Sequence, residues 1–586
     1  MKPKIHSLLL TGLFTLLLAE TIFSSENLPS PFAVIPQPKN VILLKGSGLE
    51  PAKLQSMALK GDFSRPVMGE LLSQLPAGKA GNSGTLTLIL DKSTASLPSE
   101  EGYILTVTRD KAEITAKGEA GLFYGCQTLE QLLEDARDYK KPVPACKITD
   151  YPVLSYRAVH FDVKHHLDHM NYYYESIDRL ARYKINAVVF EFEDKLRFQR
   201  QPLVGAPQSI SMDEMAALTH YARDRHIEIT PLVQGLGHAT FILKHQQYAH
   251  LRELSWNKWA FCPLHEGTYQ VLFDLYRDVI EATPGSKYLH IGGDEIGNIG
   301  LCPRCKPMAD KEGMLSLSLY WLKRVCEFAA ENNRIPIFWD DMPLKEAGVY
   351  ETTYSDDVTA EEATKRWADG KPKLDVMVEG FPKNCVYMRW NYSMARQPGN
   401  ILALDWYKSR GLPPLADQEK VQFDYTTKLI ELPDLNSPGT WTRKYNDRLE
   451  KARVETDNYN AQSQRLQELY NASKRNRYYW ELSMALYDLQ ITAPRLLLAL
   501  QQWDNADKGQ QKAGIEQVKL AVQGFQLAWE NLKQVYGKTR FVAYPANYVP
   551  DRYFHFASQR EDLSWMIQAE ELYHAMIEKW LQGQPN

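Results

Sequence analysis

Short apolar segments alternate with amphipathic helical segments from Leu154 to about residue 445. The apolar segments are nearly continuous, which is typical of parallel strands buried on both faces. Repeated strand–helix units predict a parallel sheet with helices outside it, and about 290 residues suit a closed (β/α)8 barrel better than an open sheet. The predicted strands are YRAVHFDV (156–163), INAVVFEF (185–192), IEITPLV (227–233), KYLHIGG (287–293), RIPIFW (334–339), LDVMVEG (374–380) and CVYMRW (385–390).

The segments on either side of this region follow other patterns. Before it, GTLTLILD (84–91) and EGYILTVTRDKAEITAKG (101–118) predict strands, and GLFYGCQTLEQLLEDA (121–136) has helical spacing. After it, strand patterns are absent and apolar residues recur every three or four positions, as in the stripe from Val518 to Tyr536. The predicted fold class is α/β, with an N-terminal α+β domain (26–150), a (β/α)8 TIM barrel (151–449) and a C-terminal α-helical domain (450–586).

The first 25 residues have the pattern of a secretory signal peptide. Two lysines precede an apolar run from Leu8 to Leu18, and small and polar residues follow it, with cleavage expected between Ala19 and Ser25. A membrane anchor is the alternative, but the run is shorter than the about 20 residues that a spanning helix needs. No later segment is long and apolar enough to span, so we expect an exported protein, periplasmic or extracellular.

Charge and cysteine content exclude some classes of protein. The net charge of −4 provides no basic surface of the kind that binds nucleic acid, so no nucleic-acid partner is expected. Seven cysteines are an odd number for an exported chain of 586 residues, which argues against a disulfide framework.

Polar residues at the predicted strand ends are the candidates for chemistry, because the active site of a parallel barrel lies at the carboxyl ends of its strands. Acids dominate the set and aromatic residues accompany them, which suits a neutral polar ligand whose leaving group must be protonated. The set comprises Arg157, Asp162, His165, His166, Glu191, Glu193, Asp194, Gln234, His238, His290, Asp294, Glu295, Trp339, Asp340, Asp341, Glu379, Trp390, Asn391 and Tyr392.

The segment KYLHIGGDEIG (287–297) places Asp294 and Glu295 directly after a predicted strand. Neighbouring carboxylates disfavour joint ionisation, so the pKa of one is expected to rise. A carboxylic acid that keeps its proton near neutral pH can act as a general acid, while the ionised partner stabilises positive charge. Gly292 and Gly293 permit a tight turn and leave room for a ligand. A helix N-terminus capped by Asp294 is the structural alternative.

HIGGDE (290–295) is similar to the signature of glycoside hydrolase family 20, the β-N-acetylhexosaminidases. EGYILTV, GLFYGCQTLEQLL and DYPVLSYRAVHFDV resemble that family's accessory domain and first barrel strand. VVFEFEDKLRF, ITPLVQGLGHATFILKHQQYAHLRE and IFWDDM look most like its hexosaminidase D branch. The resemblance covers about residues 30–400, in the same order along the chain.

This resemblance implies an exo-acting glycosidase that releases terminal N-acetylglucosamine or N-acetylgalactosamine with retention of configuration, by a substrate-assisted mechanism. The substrate's acetamido oxygen attacks the anomeric carbon. Asp294 would orient the acetamide and stabilise the oxazolinium-like intermediate, and Glu295 would protonate the glycosidic oxygen and then activate water. The implied partner is an N-acetylhexosamine-containing glycan, no cofactor is implied, and no metal is assigned to the catalytic residues.

Further substrate contacts are implied by the same resemblance. Arg157 would hold sugar hydroxyls, with a structural ion pair as the alternative. His238 would lie near the acid/base, or would be a core histidine. Asp194 matches a strand-end acid, for which Glu191 and Glu193 compete.

Aromatic residues complete the implied sugar pocket. Trp339 and Trp390 would form walls around the acetamide, with core packing as the alternative, and Tyr392 would donate to the acetamide oxygen. PLADQEKVQFDY (414–425) and SPGTWTRKY (437–445) fit barrel strands seven and eight only loosely. The choice between gluco and galacto sugars therefore stays open.

Two pairs of metal-ligating residue types lie outside the family motif. Cys262 and His265 form one pair, and Cys302 and Cys305 form the other. Four ligands in two close pairs could bind structural zinc. Buried thiols, or a disulfide such as Cys262–Cys302, are the alternatives.

Two rival functions come from other classes. A non-catalytic glycan-binding protein that kept the barrel would explain the loose fit of strands seven and eight, but the intact Asp294–Glu295 pair argues against it. A metal-dependent barrel hydrolase could use the acids and histidines at the strand ends, and activity unaffected by a chelator would exclude it. The fold alone does not separate these functions.

Overall fold

The computed structural model describes residues 27–163, 166–355, 357–389, 397–412, 414–416, 430–434, 436–507, 510–543 and 568–583. These residues divide into two compact units. The first contains the described residues up to Ser155 together with Arg182–Lys184, and the second contains Tyr156–Ala181 and the described residues from Ile185 onward. The predicted signal peptide lies outside the described residues, and the domain boundaries drawn from the sequence stay predictions.

The first unit contains a mixed six-stranded sheet and a long helix. Its strands are β1 (Asn40–Leu43), β2 (Ser56–Lys60), β3 (Thr85–Leu90), β4 (Tyr103–Val107), β5 (Ala112–Ala116) and β6 (Cys146–Asp150). Its helices are α1 (Glu70–Ser73), α2 (Glu119–Tyr139) and the 3-10 turn Pro51–Lys53. The sheet order is β1–β6–β4–β5–β3–β2, and α2 packs on β4 and β5. The strands and helix predicted here from the sequence are confirmed.

Seven parallel strands of the second unit form one sheet in chain order. They are β7 (Ala158–Asp162), β8 (Ala187–Glu191), β9 (Glu228–Leu232), β10 (Tyr288–His290), β11 (Ile335–Trp339), β12 (Val386–Arg389) and β13 (Pro414–Ala416). Every neighbouring pair is parallel, so all the carboxyl ends meet at one edge. The second unit thus has the architecture of a (β/α)8 barrel, with seven of its strands in the described part of the chain.

Helices connect these strands and cover the outside of the barrel. They are α3 (Met170–Arg182), α4 (Met212–Arg223), α5 (Thr240–Leu243), α6 (Glu266–Ala282), α7 (Lys306–Glu312), α8 (Met314–Glu331), α9 (Asp341–Glu346), α10 (Ala360–Met377) and α11 (Pro398–Ser409), with 3-10 turns Glu193–Lys195, Gln246–Leu251, Tyr350–Thr353 and Val378–Gly380. Inside the barrel, side chains of β8, β9, β11 and β12 form a buried apolar cluster comprising Val189, Leu232, Ile337, Trp339 and Met388. This cluster lies in the barrel interior, and the ligand sites of such barrels lie at the carboxyl ends of the strands.

One predicted strand is wrong. LDVMVEG (374–380) forms the end of α10 and the 3-10 turn after it. The glycine and proline in the preceding Gly-Lys-Pro-Lys suggest a helix stop, but Pro372 lies inside α10. The buried residues of α10 recur at helical spacing, namely Ala363, Trp367, Gly370 and Leu374. The sixth barrel strand is therefore β12, from CVYMRW, and Glu379 does not follow a barrel strand.

The C-terminal part of the second unit is helical, as predicted. Its helices are α12 (Thr440–Lys444), α13 (Asn446–Ala472), α14 (Arg477–Gln490), α15 (Thr492–Asp504), α16 (Gln511–Tyr536) and α17 (Gln568–Gln582). The apolar stripe predicted on α16 is buried in two clusters, through Val518 and Val522 in one and Phe525, Trp529 and Leu532 in the other. In the described ranges, no helix has both the length and the apolar character to cross a membrane.

Candidate active site

The turn after β10 needs glycine for both conformation and space. The φ angles of Gly292 and Gly293 are 67° and 94°, in the left-handed region that favours glycine. A Cβ on Gly292 would lie 1.9 Å from Oε1 of Gln234, which is closer than any non-bonded contact. Glu295 also has a positive φ, 46°, an uncommon conformation for a residue with a side chain. Such backbone strain is often found at functional sites, and here it aims the carboxylate.

A Gly292→Ala variant is expected to lose both stability and activity. The left-handed conformation alone costs about 1–2 kcal/mol for a residue with a Cβ, and the overlap with Gln234 adds to this cost. Gly297→Ala is the matched control, because no atom lies within 4 Å of a Cβ at Gly297. Thermal unfolding and kcat of the two variants provide the comparison. Equal melting temperatures would contradict the requirement for glycine at 292.

Asp294 and Glu295 have different surroundings although they are adjacent in sequence. Nε2 of His238 lies 3.2 Å from Oδ2 of Asp294 and 3.4 Å from Oε2 of Glu295, so one imidazole contacts both acids. The side chain of Asp294 is 8% exposed, whereas that of Glu295 is 44% exposed. One carboxylate is therefore enclosed, and the other can reach a group that enters from solvent.

Trp259 fixes this arrangement from the loop before α6. Its ring lies against His238, with centroids 4.1 Å apart, and its Nε1 donates to the backbone oxygen of Glu295 at 3.0 Å. Sequence reasoning missed Trp259, because a tryptophan in NKWAFC belongs to no strand end and no periodic pattern. Only the folded loop places it beside the two acids.

Asp341 also holds the backbone of Glu295. The Glu295 amide donates to Oδ2 of Asp341 at 3.0 Å, and the same oxygen accepts from Lys345 one helical turn later. Burial raises the pKa of Asp341; Lys345 opposes the rise and Asp294 adds to it. The sequence suggested a polar strand end here, with a substrate contact as the alternative. The structure makes Asp341 the hydrogen-bond acceptor of the Glu295 amide.

The pKa of Glu295 lies below its ordinary value. The hydrogen bond with His238 is the main cause, since it favours the charged carboxylate, while burial and the charge of Asp294 oppose it. The prediction that adjacency raises one of the two pKa values therefore does not hold for Glu295. The contact with His238 outweighs the repulsion between the neighbouring acids.

Removing the His238 contact is expected to move the pH profile. A general acid must be protonated in the free enzyme, so kcat/KM falls as pH rises through the pKa of Glu295. His238→Phe removes the contact that lowers the pKa of Glu295. That pKa therefore rises, and the basic limb of the profile shifts to higher pH. His238→Gln, which keeps a hydrogen-bond donor, is the control and should shift less. A basic limb that stays in place or moves to lower pH in His238→Phe would refute this role.

A second polar cluster is formed by residues within β7, at the end of β8 and just after β9. Oε2 of the buried Glu191 lies 3.0 Å from Nε2 of His160. Oε1 of Glu191 accepts a hydrogen bond from the side-chain Nε2 of Gln234 at 3.0 Å. His290 is fully buried, and burial lowers its pKa to about 3, so its imidazole is neutral at ordinary pH. Nδ1 of His290 accepts from the Gly292 amide at 3.1 Å and steadies the turn that carries the acid pair.

Asp194 belongs to a buried ion-pair cluster. It is 3% exposed, one of its oxygens pairs with Lys195, and the other lies 2.9 Å from Nζ of Lys244. Burial acts to raise the pKa of Asp194, but the two ammonium groups outweigh it and hold the pKa well below its ordinary value. The carboxylate is thus ionised and held by two lysines, and a contact with sugar stays a prediction.

The predicted aromatic residues divide between described and undescribed parts of the chain. Trp339 ends β11, is buried, and lies 4.5 Å from the ring of His290, measured between centroids. It thus belongs to the barrel core, next to the strand that leads into the turn with the acid pair. Trp390 and Tyr392, like His165, lie outside the described residues.

Arg157 has a defined backbone position next to the first barrel strand. It precedes β7, and its backbone oxygen accepts from the amides of Asn186 and Ala187 at the start of β8. Asp162, at the carboxyl end of β7, comes five positions later, which corresponds to about 16 Å along a strand. The backbone of Arg157 therefore lies at the amino-terminal end of β7, and a contact of its side chain with sugar hydroxyls stays a prediction.

Four side chains near the acid pair could hold a metal ion. Ligand atoms of Glu253, Cys262, Cys302 and Cys305 all lie within 4.8 Å of one another. His265, which the sequence grouped with the cysteines, is not among them. Its Nδ1 instead accepts from the Gly267 amide and caps the N-terminus of α6. The structure thus replaces the predicted histidine by Glu253.

Two family models match this chain. The model of the glycosyl hydrolase family 20 catalytic domain matches residues 154–381, and that of domain 2 of the same family matches residues 28–151. Together they cover more than half of the 586 residues. The chain belongs to glycoside hydrolase family 20.

Two curated relatives support this membership. A β-hexosaminidase of Porphyromonas gingivalis is 26% identical over 341 residues, which are 52% of this chain and 43% of that protein. Hexosaminidase D of Homo sapiens is 29% identical over 265 residues, which are 44% of this chain and 49% of that protein. The chain thus spans about half the length of these two relatives.

A solved structure of family 20 supports the fold. The exo-β-N-acetylglucosaminidase of Vibrio harveyi, in complex with N-acetylglucosamine, has a TM-score of 0.50 and 18% sequence identity. The likeness covers 67% of this chain and 62% of that one. At this identity it bears on the fold alone.

Proposed function

We propose that this family 20 member is an exo-acting β-N-acetylhexosaminidase that uses a substrate-assisted, retaining mechanism. One observation carries the proposal: an enclosed Asp294 and an exposed Glu295 follow a barrel strand, and His238 contacts both. This arrangement separates charge stabilisation from proton transfer. The names of the relatives, β-hexosaminidase and hexosaminidase D, support the substrate class.

The first step would form the bond between the acetamido oxygen and the anomeric carbon. The glycosidic bond breaks at the same time, and Glu295 donates a proton to the departing oxygen. The ring that forms carries positive charge, which the enclosed carboxylate of Asp294 offsets at short range. Asp294 also accepts from the acetamide N–H and so turns the oxygen towards the anomeric carbon.

The second step would reverse these roles. Glu295, now ionised, removes a proton from water, and the water oxygen attacks the anomeric carbon from the face that the leaving group left. The bond between the acetamido oxygen and the anomeric carbon breaks, its electron pair returns to the acetamide, which becomes neutral, and the sugar keeps its β-configuration. The low pKa that His238 confers on Glu295 limits its strength as a base, while it keeps the carboxylate ionised for this step.

A paired substrate panel tests the proposal. Chromogenic β-N-acetylglucosaminide and β-N-acetylgalactosaminide should both be assayed, with the matching β-glucoside as the control that lacks the acetamido group. Substrate assistance requires turnover of at least one N-acetyl sugar and essentially none of the glucoside, with a β-anomer as the first product in proton NMR. Equal turnover of the glucoside would refute the mechanism. Binding without turnover would refute catalysis and favour a glycan-binding protein.

We further propose that the chain is exported and that residues 1–25 are removed. The order of lysines, apolar run and small polar residues at the start of the chain supports this. Intact mass and N-terminal sequencing of protein from the periplasm or medium are the test. A full-length cytoplasmic chain would contradict it.

A further inference from the structure

A cluster of three thiols and one carboxylate lies between two loops at the catalytic edge of the barrel. Sγ of Cys262 lies 3.6 Å from Sγ of Cys302 and 3.4 Å from Sγ of Cys305. A disulfide would bring two sulfurs to about 2.05 Å, so these thiols are not bonded to one another. Tetrahedral zinc with about 2.3 Å bonds to sulfur separates its sulfur ligands by about 3.8 Å. The observed spacings are close to that value.

Glu253 supplies the fourth ligand atom and an independent indication of a cation. Glu253 is buried, with only 3% of its surface exposed. Oε1 accepts from the amides of Leu301 and Cys302, at 2.8 and 3.0 Å, whereas Oε2 has no hydrogen-bond partner among the described residues. A buried carboxylate oxygen without a partner is costly unless a cation is bound to it.

We propose that Glu253, Cys262, Cys302 and Cys305 bind one zinc ion in a closed, tetrahedral structural site. Thiolates favour zinc over magnesium or calcium, and four protein ligands leave no open position for catalysis. The three thiols bind as thiolates, so their protons pass to solvent when the metal binds. The guanidinium of Arg304, 3.6 Å from Sγ of Cys262, offsets part of the remaining negative charge.

The site would join the two loops that position the general acid. Cys262 comes three residues after Trp259, and Cys302 comes seven residues after Glu295. The metal therefore ties the loop that carries Trp259 to the loop that carries Glu295, next to the hydrogen bond between them. Its role is positioning rather than chemistry, and it goes beyond the proposed hydrolysis.

Metal analysis of the purified full chain, prepared without a metal-affinity column, is the first test. We expect about one zinc per chain by mass spectrometry. X-ray absorption at the zinc edge should show three sulfur ligands at about 2.3 Å and one lighter ligand at about 2.0–2.2 Å. A chain that binds no zinc when zinc is supplied during expression, or a Cys262–Cys302 disulfide in peptide mapping, would overturn the proposal.

A matched pair of variants is the second test. Cys302→Ala should lose stoichiometric zinc and melt at lower temperature, whereas Cys326→Ala, at a buried thiol outside the cluster, should keep its zinc. Glu253→Gln keeps all three thiols and nearly the same shape, and should release zinc to a chelator faster than the unmodified chain. Zinc retained equally by all three variants would refute this ligand set, whether or not the enzyme hydrolyses N-acetylhexosaminides.

Discussion

Glu295→Gln is expected to lower kcat on an N-acetylhexosaminide disaccharide by about 10²–10⁴-fold, the usual contribution of general acid–base catalysis. The amide cannot donate a carboxylic proton to the glycosidic oxygen or accept one from water. The backbone contacts of residue 295, to Asp341 and Trp259, do not involve its side chain, so the variant should fold normally. Steady-state kinetics with a disaccharide and with an aryl glycoside provide the measurement.

The choice of leaving group makes this test specific to the acid step. An aryl leaving group with a low pKa needs little protonation, so the loss in kcat/KM should be smaller for the aryl glycoside than for the disaccharide. Glu346→Gln, an exposed glutamate at the end of α9, is the control and should keep full activity. Unchanged turnover in Glu295→Gln would show that another group supplies the proton.

Asp294→Asn is expected to lower kcat by about 10²–10³-fold, a magnitude typical of removing one preorganised electrostatic partner. The substitution keeps the shape of the side chain but removes its charge, so the positive charge on the intermediate is no longer offset. Because Asp294 is enclosed, solvent screens little of that charge in the parent enzyme. Steady-state kinetics and inhibitor binding measure the effect.

Inhibitor binding separates charge stabilisation from general damage to the pocket. A cationic mimic of the oxazolinium-like intermediate should bind more weakly to Asp294→Asn by about the factor lost in kcat, whereas the neutral sugar product should bind nearly unchanged. Asp310→Asn, at an exposed residue of α7, is the control. Equal loss of affinity for the mimic and for the product would count against a charge-based role.

The barrel could be predicted from the sequence because buried parallel strands are apolar on both faces. Six of the seven segments predicted as its strands are strands, β7 to β12. The exception, LDVMVEG, is a short apolar run next to a glycine and a proline, and such a run fits a strand as well as a helix end. The segment is helical because it continues α10, which packs through earlier residues such as Trp367.

The acid pair could also be predicted from the sequence, because the residues of its motif are contiguous in the chain. The strand, the two glycines and both carboxylates lie within KYLHIGGDEIG, and this motif is shared with family 20. The side chains that surround the pair could not be predicted from the sequence. His238 and Trp259 come from the connection between β9 and α6, and Asp341 is the first residue of α9. The pKa of Glu295 depends mainly on His238, 57 residues earlier in the chain, rather than on the adjacent Asp294.

The cysteine cluster shows the same division. Its cysteine spacing marked a possible metal site, but proximity in sequence selected His265, which instead caps α6. Glu253 replaces it because the antiparallel contact between Arg252 and Phe261 folds the loop back and brings residue 253 close to Cys262.

The sequence by itself determined the order of strands and helices except for LDVMVEG, the family, and the two carboxylates that the proposed reaction requires, because periodicity and a contiguous motif carry that information. The tertiary structure alone decided which acid is enclosed, which imidazole and indole hold the other, and which carboxylate joins the three thiols. These relations depend on loops that meet at the carboxyl edge of a parallel barrel, and residues far apart in the chain become neighbours only when the barrel forms.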